Sequence, residues 1–142
     1  MKTQQIYYLA SPYTHKDPKI KKKRATDVTI CAVELLKHRV FTFAPIAYNE
    51  PWEKYDVPSD WGFWECFDKS FVERCDGGLI VLMLDGWKES VGVQAEIEYA
   101  HSLNLPVFYA TKEDIMSGDI NFLKMCKLKS NRRLFCKHSK IA

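Results

Sequence analysis

The chain has 142 residues, of which 46% are hydrophobic and 27% charged. That size sets one domain with a single sizeable core, and the balance excludes disorder over the whole chain. No apolar run nears the roughly 18 residues needed to span a bilayer, and the opening MKTQQIYYLASPY is too short in apolar residues for a secretory signal, so the chain is expected in the cytoplasm.

Net charge is +3, unevenly spread: residues 121–142 hold seven Lys or Arg and no Asp or Glu, leaving the rest at −4. A basic tail can touch nucleic acid, but the charge is modest for that, and a solvated terminus or subunit contact is the plainer reading. The five cysteines (Cys31, Cys66, Cys75, Cys126, Cys136) form no CxxC pair, and the four histidines show no ligand spacing. Reduced, mostly buried thiols are expected rather than a disulfide framework or a zinc site.

Gln5–Ala10 reads as a first strand ending at Ser11-Pro12. Asp17-Pro18 is a cap followed by proline at the first helical position, and Val28, Cys31, Ala32, Leu35 and Leu36 then recur at helical spacing. Val40–Ala44 is a short second strand ending before Pro45. Residues 45–60, rich in Pro, Asn, Asp and aromatics, read as a long loop of the functional kind. Asp60 can cap a helix from Trp61 whose buried stripe is Trp64, Phe67, Phe71 and Cys75. After Gly77-Gly78, LIVLML is the apolar run of a central parallel strand. Ser90 can cap a helix carrying Val93, Ile97, Ala100 and Leu103, and Pro106–Ala110 is a last strand.

This order predicts a single α/β doubly wound domain over residues 1–142, with a parallel sheet of about four to five strands and helices on both faces. Residues 112–142 form a basic C-terminal extension, either one helix or irregular packing. Ligands of such sheets sit beyond the carboxyl ends of the strands. That directs attention to Ser11–His15, Pro45–Asp60 and Asp85–Val93.

Two acids point the wrong way for solvated residues. Asp68 lies four after Trp64 and three before Phe71, inside the apolar stripe. Glu96 lies three after Val93 and four before Ala100, while Glu98 falls on the outer side. A buried carboxylate is costly unless paired, hydrogen-bonded or protonated. A backbone amide, Arg or Lys would satisfy either acid alone. Two of them on helices bordering one strand suit a shared crevice, the arrangement used to cleave glycosidic bonds. Tyr7 and Tyr8 alternate across the first strand, so one can reach Glu96 through its hydroxyl. Trp52, Tyr55, Trp61 and Trp64 can stack a planar base or roof the core. Ser11 ends the first strand, and the amides of Val91, Gly92 and Val93 at the start of the helix that Ser90 begins suit an anion, with Gly92 permitting close approach. The run Lys19, Lys21, Lys22, Lys23, Arg24 reads as a solvated helix face.

The segments YLASPY, DKSFVERCD and GWKESVGVQAEIEYA resemble the nucleoside 2-deoxyribosyltransferase-like superfamily. Within it they are similar to a branch with an ASPY loop and a GW-x-x-S-x-G-V-x-x-E segment. The resemblance covers roughly residues 5–110. Members cleave the N-glycosidic bond of 2-deoxynucleosides or nucleoside 5′-monophosphates and pass the sugar to another base or to water. The resemblance implies Glu96 as nucleophile, Asp68 as the residue that positions or protonates the base, and Tyr8 as the one that orients Glu96. It implies Ser90 and the Ser11 loop at the 5′ end of the substrate. Monophosphate-hydrolysing relatives have a glycine-rich loop after the first strand. Here it is Ser11-Pro12-Tyr13-Thr14-His15, so Tyr13 or His15 is the expected contact instead. The implied partners are a small nucleoside or nucleotide and further copies of the chain, as a homodimer or higher oligomer, with no metal or organic cofactor. Two other readings stay open: a non-catalytic nucleotide-binding or sensing module on the same fold, and a nucleic-acid-associated protein using the basic tail.

Overall fold

A computed structural model describes residues 3–124. Its frame is one parallel sheet of four strands, β1 (Ile6–Ala10), β2 (Phe41–Phe43), β3 (Gly78–Leu82) and β4 (Val107–Ala110), in the order β2-β1-β3-β4. Tyr8 pairs with Phe43 on one side and with Leu79 on the other. The long helices are α1 (Pro18–Lys37), α3 (Trp61–Val72) and α4 (Val91–Ser102). Their starts follow the expected chemistry: Asp17, Asp60 and Ser90 each accept from a first-turn amide, with Pro18 opening α1.

The β pleat sorts the core into two layers. Tyr7, Leu9, Ile80, Leu82 and Phe108 pack with Val28, Cys31 and Leu35 of α1 and with Ile115 of α5 (Lys112–Met116). Tyr8, Ala10, Leu79 and Val81 pack with Val72 of α3 and with Val93, Ile97 and Ala100 of α4. The α/β architecture with helices on both faces is therefore as expected. Gly78 has φ +103°, and a Cβ there would lie 2.3 Å from the Pro106 carbonyl oxygen, so only glycine lets β3 press against the entry to β4.

Several details differ from the sequence reading. Pro45 does not merely end a strand. It opens α2 (Pro45–Asn49), followed by a 3-10 turn at Glu50–Trp52, because proline's fixed φ suits the first helical position. Leu36 and Leu103 lie on the exposed side of their helix ends. The aromatics of α3 are only half-buried, whereas Asp68 is more buried than they are. The first part of the expected extension belongs to the body, since α5 and Leu123 pack into the α1 layer. The rest of the basic tail, with Cys126 and Cys136, lies outside the described residues. Among the described residues Cys31, Cys66 and Cys75 are free thiols, and no helix is long and apolar enough to cross a membrane.

Candidate active site

Helix α1 leaves β1 on one face of the sheet and α4 leaves β3 on the other. The adjacent carboxyl ends of β1 and β3 thus form the switch point where such sheets open a crevice. Helices α3 and α4 pack side by side on the face of the sheet that Tyr8 joins. Helical period brings Asp68 from α3 and Glu96 from α4 to the same side.

All three residues are buried: Tyr8 is 0% exposed, Glu96 5% and Asp68 9%. The Tyr8 hydroxyl donates to Glu96 Oε2, linking the central strand to α4. Asp68 Oδ1 is buried with no hydrogen-bond partner among the described residues. An unsatisfied buried acceptor costs about 1–3 kcal/mol, so this oxygen demands an account.

Burial raises the Asp68 carboxyl to about 7, although hydrogen bonding with Tyr8 pulls the other way. Burial and then the negative charge of Asp68 lift Glu96 well above the usual carboxylate range, again opposed by the Tyr8 hydrogen bond. Burial, then Glu96 and Asp68, keep the Tyr8 phenol protonated. Among the described residues no cation offsets either acid. Both carboxyls therefore hold their protons more tightly than ordinary acids do, like other carboxylates forced to share a site.

A third buried acid supplies the contrast. Asp27 on α1 accepts from Lys23 Nζ at 2.6 Å and from Lys112 Nζ at 2.8 Å. Burial would raise its carboxyl, but the two lysines more than offset that and hold it below the usual value. Asp27 is a satisfied structural acid tying α5 to α1. Asp68 and Glu96 are not satisfied in this way.

An aromatic wall runs outward from the pair. The Tyr8 ring meets Phe43 at 6.0 Å, and Phe43 stacks in parallel on Phe71 at 4.1 Å. Phe71 continues through Phe67 to Trp64 and Trp52. Trp64 also donates to the Pro58 carbonyl at 2.7 Å, pinning the end of the 45–60 segment. Tyr55 stands apart, well exposed beneath Lys54. Trp61 packs on Gly92, where a Cβ would sit 3.3 Å from its ring.

The remaining expected contacts are spread along the sheet's carboxyl edge. Ser11 is buried at the end of β1, and its Oγ has no partner among the described residues. Ser90 Oγ accepts from the Val93 amide at 3.2 Å, so its oxygen serves the α4 cap. Gly92 serves the packing of α3 against α4. The Tyr13 hydroxyl bonds with Glu53, and its ring lies under Lys21. Neither group is turned to the carboxyl pair. His15 Nδ1 accepts from the Asp17 amide at 2.9 Å. Sequence reasoning missed Phe43 and Phe71 as one stacked surface. Their alternating and helical positions signalled burial, but their meeting depends on β2 and α3 being neighbours.

Fold and site define an α/β domain with a buried Tyr–Glu–Asp constellation beneath its switch point. The chain belongs to the family described as "Domain of unknown function (DUF1937)", whose model matches residues 5–112. All three residues fall inside that match. The description assigns no activity and does not itself connect the chain with the nucleoside 2-deoxyribosyltransferase-like superfamily. No curated protein matches the chain.

Replacing Tyr8 by Phe removes the one hydroxyl that favours ionised Glu96. The Glu96 carboxyl should rise further, moving the acid limb of any rate profile to higher pH. A charge-assisted bond of about 1.5–3 kcal/mol corresponds to a loss of roughly 10- to 100-fold below the optimum, read from a pH–rate profile. A Tyr8→Phe profile superposing on wild type would remove Tyr8 from the site.

Proposed function

We propose that the chain cleaves the N-glycosidic bond of a nucleoside, deoxynucleoside or nucleoside 5′-monophosphate and passes the sugar to water or to another base. The observation carrying this reading is the pair of uncompensated buried carboxyls, Glu96 and Asp68, joined through Tyr8. The resemblance described above gives the same pair of residues their roles.

The chemistry follows from charge. As the C1′–N bond lengthens, the sugar becomes oxocarbenium-like and the base nitrogen takes the electron pair. Glu96 in its ionised form stabilises the sugar cation and bonds to C1′ as a glycosyl ester. Protonated Asp68 gives its proton to the departing base. Water or an acceptor base then attacks C1′, returns a proton to Asp68 and frees the Glu96 carboxylate. The reactive arrangement thus has the proton on Asp68. The negative charge of Asp68 helps hold a proton on Glu96, and positive charge developing on the sugar beside Glu96 works against it. The aromatic wall from Phe43 to Trp52 supplies flat surface for a base.

The shift of Glu96 also favours a second reading, a nucleotide-binding module in which Glu96 stays protonated and only donates a hydrogen bond. Chromatography of nucleosides and their 5′-monophosphates, with and without an acceptor base, separates the two. Release of free base supports cleavage. Saturable binding across the panel with no release of base supports the module.

A further inference from the structure

The basic run at the start of α1 reads as a solvated face, yet three of its members reach across the molecule. Lys21 pairs with Glu53 and Lys22 with Glu50, each at 3.0 Å, tying α1 to the 3-10 turn. Both pairs are partly exposed, and such pairs contribute little. Arg24 differs. Its Nη1 donates to the Thr14 carbonyl at 2.9 Å and more weakly to that of Tyr13 at 3.4 Å, while Nη2 donates to the Asp85 carbonyl at 3.0 Å.

Those carbonyls belong to two different loops. Tyr13 and Thr14 follow Ser11 in the β1–α1 loop, and Asp85 precedes Ser90 in the β3–α4 loop. The two loops leave adjacent strands toward opposite faces of the sheet. Beyond the Ala10–Val81 pair, no backbone hydrogen bond joins them among the described residues. The guanidinium spans that gap. Gly86 makes room for it: the residue has φ +86°, and a Cβ there would lie 2.5 Å from Arg24 Nη2.

We propose that Arg24 is a positioning residue whose planar fork of donors fixes the spacing of the β1–α1 and β3–α4 loops at the carboxyl ends of the strands, and so the approach to Tyr8, Glu96 and Asp68. A lysine ammonium presents its three donors from a single nitrogen and lacks the two-nitrogen fork with which Arg24 meets both loops. The spacing rests on hydrogen bonds alone; only its effect on turnover rests on the glycosidic reading.

Hydrogen exchange on the full chain tests this without any substrate. Arg24→Lys keeps the charge and the helix. It should speed exchange of the hydrogen-bonded loop amides of Asp17, Trp87 and Ser90 together, by about tenfold, the equivalent of roughly one net hydrogen bond. The amides of β1 and β3 should stay protected. In Arg24→Ala, millimolar methylguanidinium should restore protection to both loops and methylammonium should not. Where base release is measurable, Arg24→Lys should raise KM by about tenfold with kcat within a few-fold, since loop spacing governs binding more than bond cleavage. Wild-type exchange in both loops of Arg24→Lys and Arg24→Ala would overturn the proposal. So would a change confined to one loop, or equal rescue by methylammonium.

Discussion

Glu96→Ala should abolish release of free base, lowering kcat/KM by on the order of 10³-fold or more, about 4 kcal/mol of barrier. The side chain is buried, carries the Tyr8 hydrogen bond and lies near Asp68, so its loss removes the carboxylate that would stand beside the sugar carbon. Glu96→Gln separates chemistry from folding. It keeps the shape and still accepts from Tyr8, so melting should be unimpaired while base release is lost. Glu98→Ala is the control. That carboxylate lies two residues further along the same helix on its exposed side, and its loss should change the rate less than about twofold. A Glu98→Ala defect as large as that of Glu96→Ala would refute the facing argument on which the site rests.

That argument was available from sequence because α-helical period is rigid. Once Val93, Ile97 and Ala100 mark the inner face of α4, Glu96 has nowhere else to point. The same holds for Asp68 on α3, and for the caps at Asp17, Asp60 and Ser90, where the side chain and the orphan amide are near neighbours in the chain. What stayed hidden depends on partners that sequence does not display. The acceptors of Arg24 are main-chain carbonyls, which every residue has, so its side chain looked like one more charge on a wet helix. The Phe43–Phe71 stack needs the topology that places β2 beside α3. Helix α2 was hidden by its own proline and by polar neighbours, which look alike at a helix start and in a loop. Asp27 was open to the periodicity argument, since it lies four before Cys31, but its two lysines come from one turn away and from the far end of the domain.

Asp68→Asn should cost activity and add stability, and the two effects should part with pH. Burial pushes the Asp68 carboxyl up from an ordinary value near 4 to about 7. Below about pH 4 both folded and unfolded chains hold the proton, so the group contributes no penalty. Between about pH 4 and 7 the unfolded chain has lost its proton and the folded chain has kept it. Unfolding then releases a proton, and folded stability falls as pH rises through that window. Asparagine carries no proton to lose. The variant should therefore melt near wild type at pH 4 and above it at pH 8, where the natural chain must ionise a buried carboxyl. Catalysis should move in the opposite direction, as is common where a destabilised site serves function. Without a proton to give, the variant should lose roughly 10²- to 10⁴-fold with a natural base as leaving group, the usual worth of a general acid. With a leaving group that departs as a stable anion, such as a nitrophenolate, little of that loss should remain. Melting curves at pH 4 and 8, together with rates for both kinds of leaving group, give four numbers. A loss equal for both leaving groups would make Asp68 a positioning group instead of the acid. A melting gain present at pH 4 as well as at pH 8 would mean that packing, and not the buried proton, sets its stability effect.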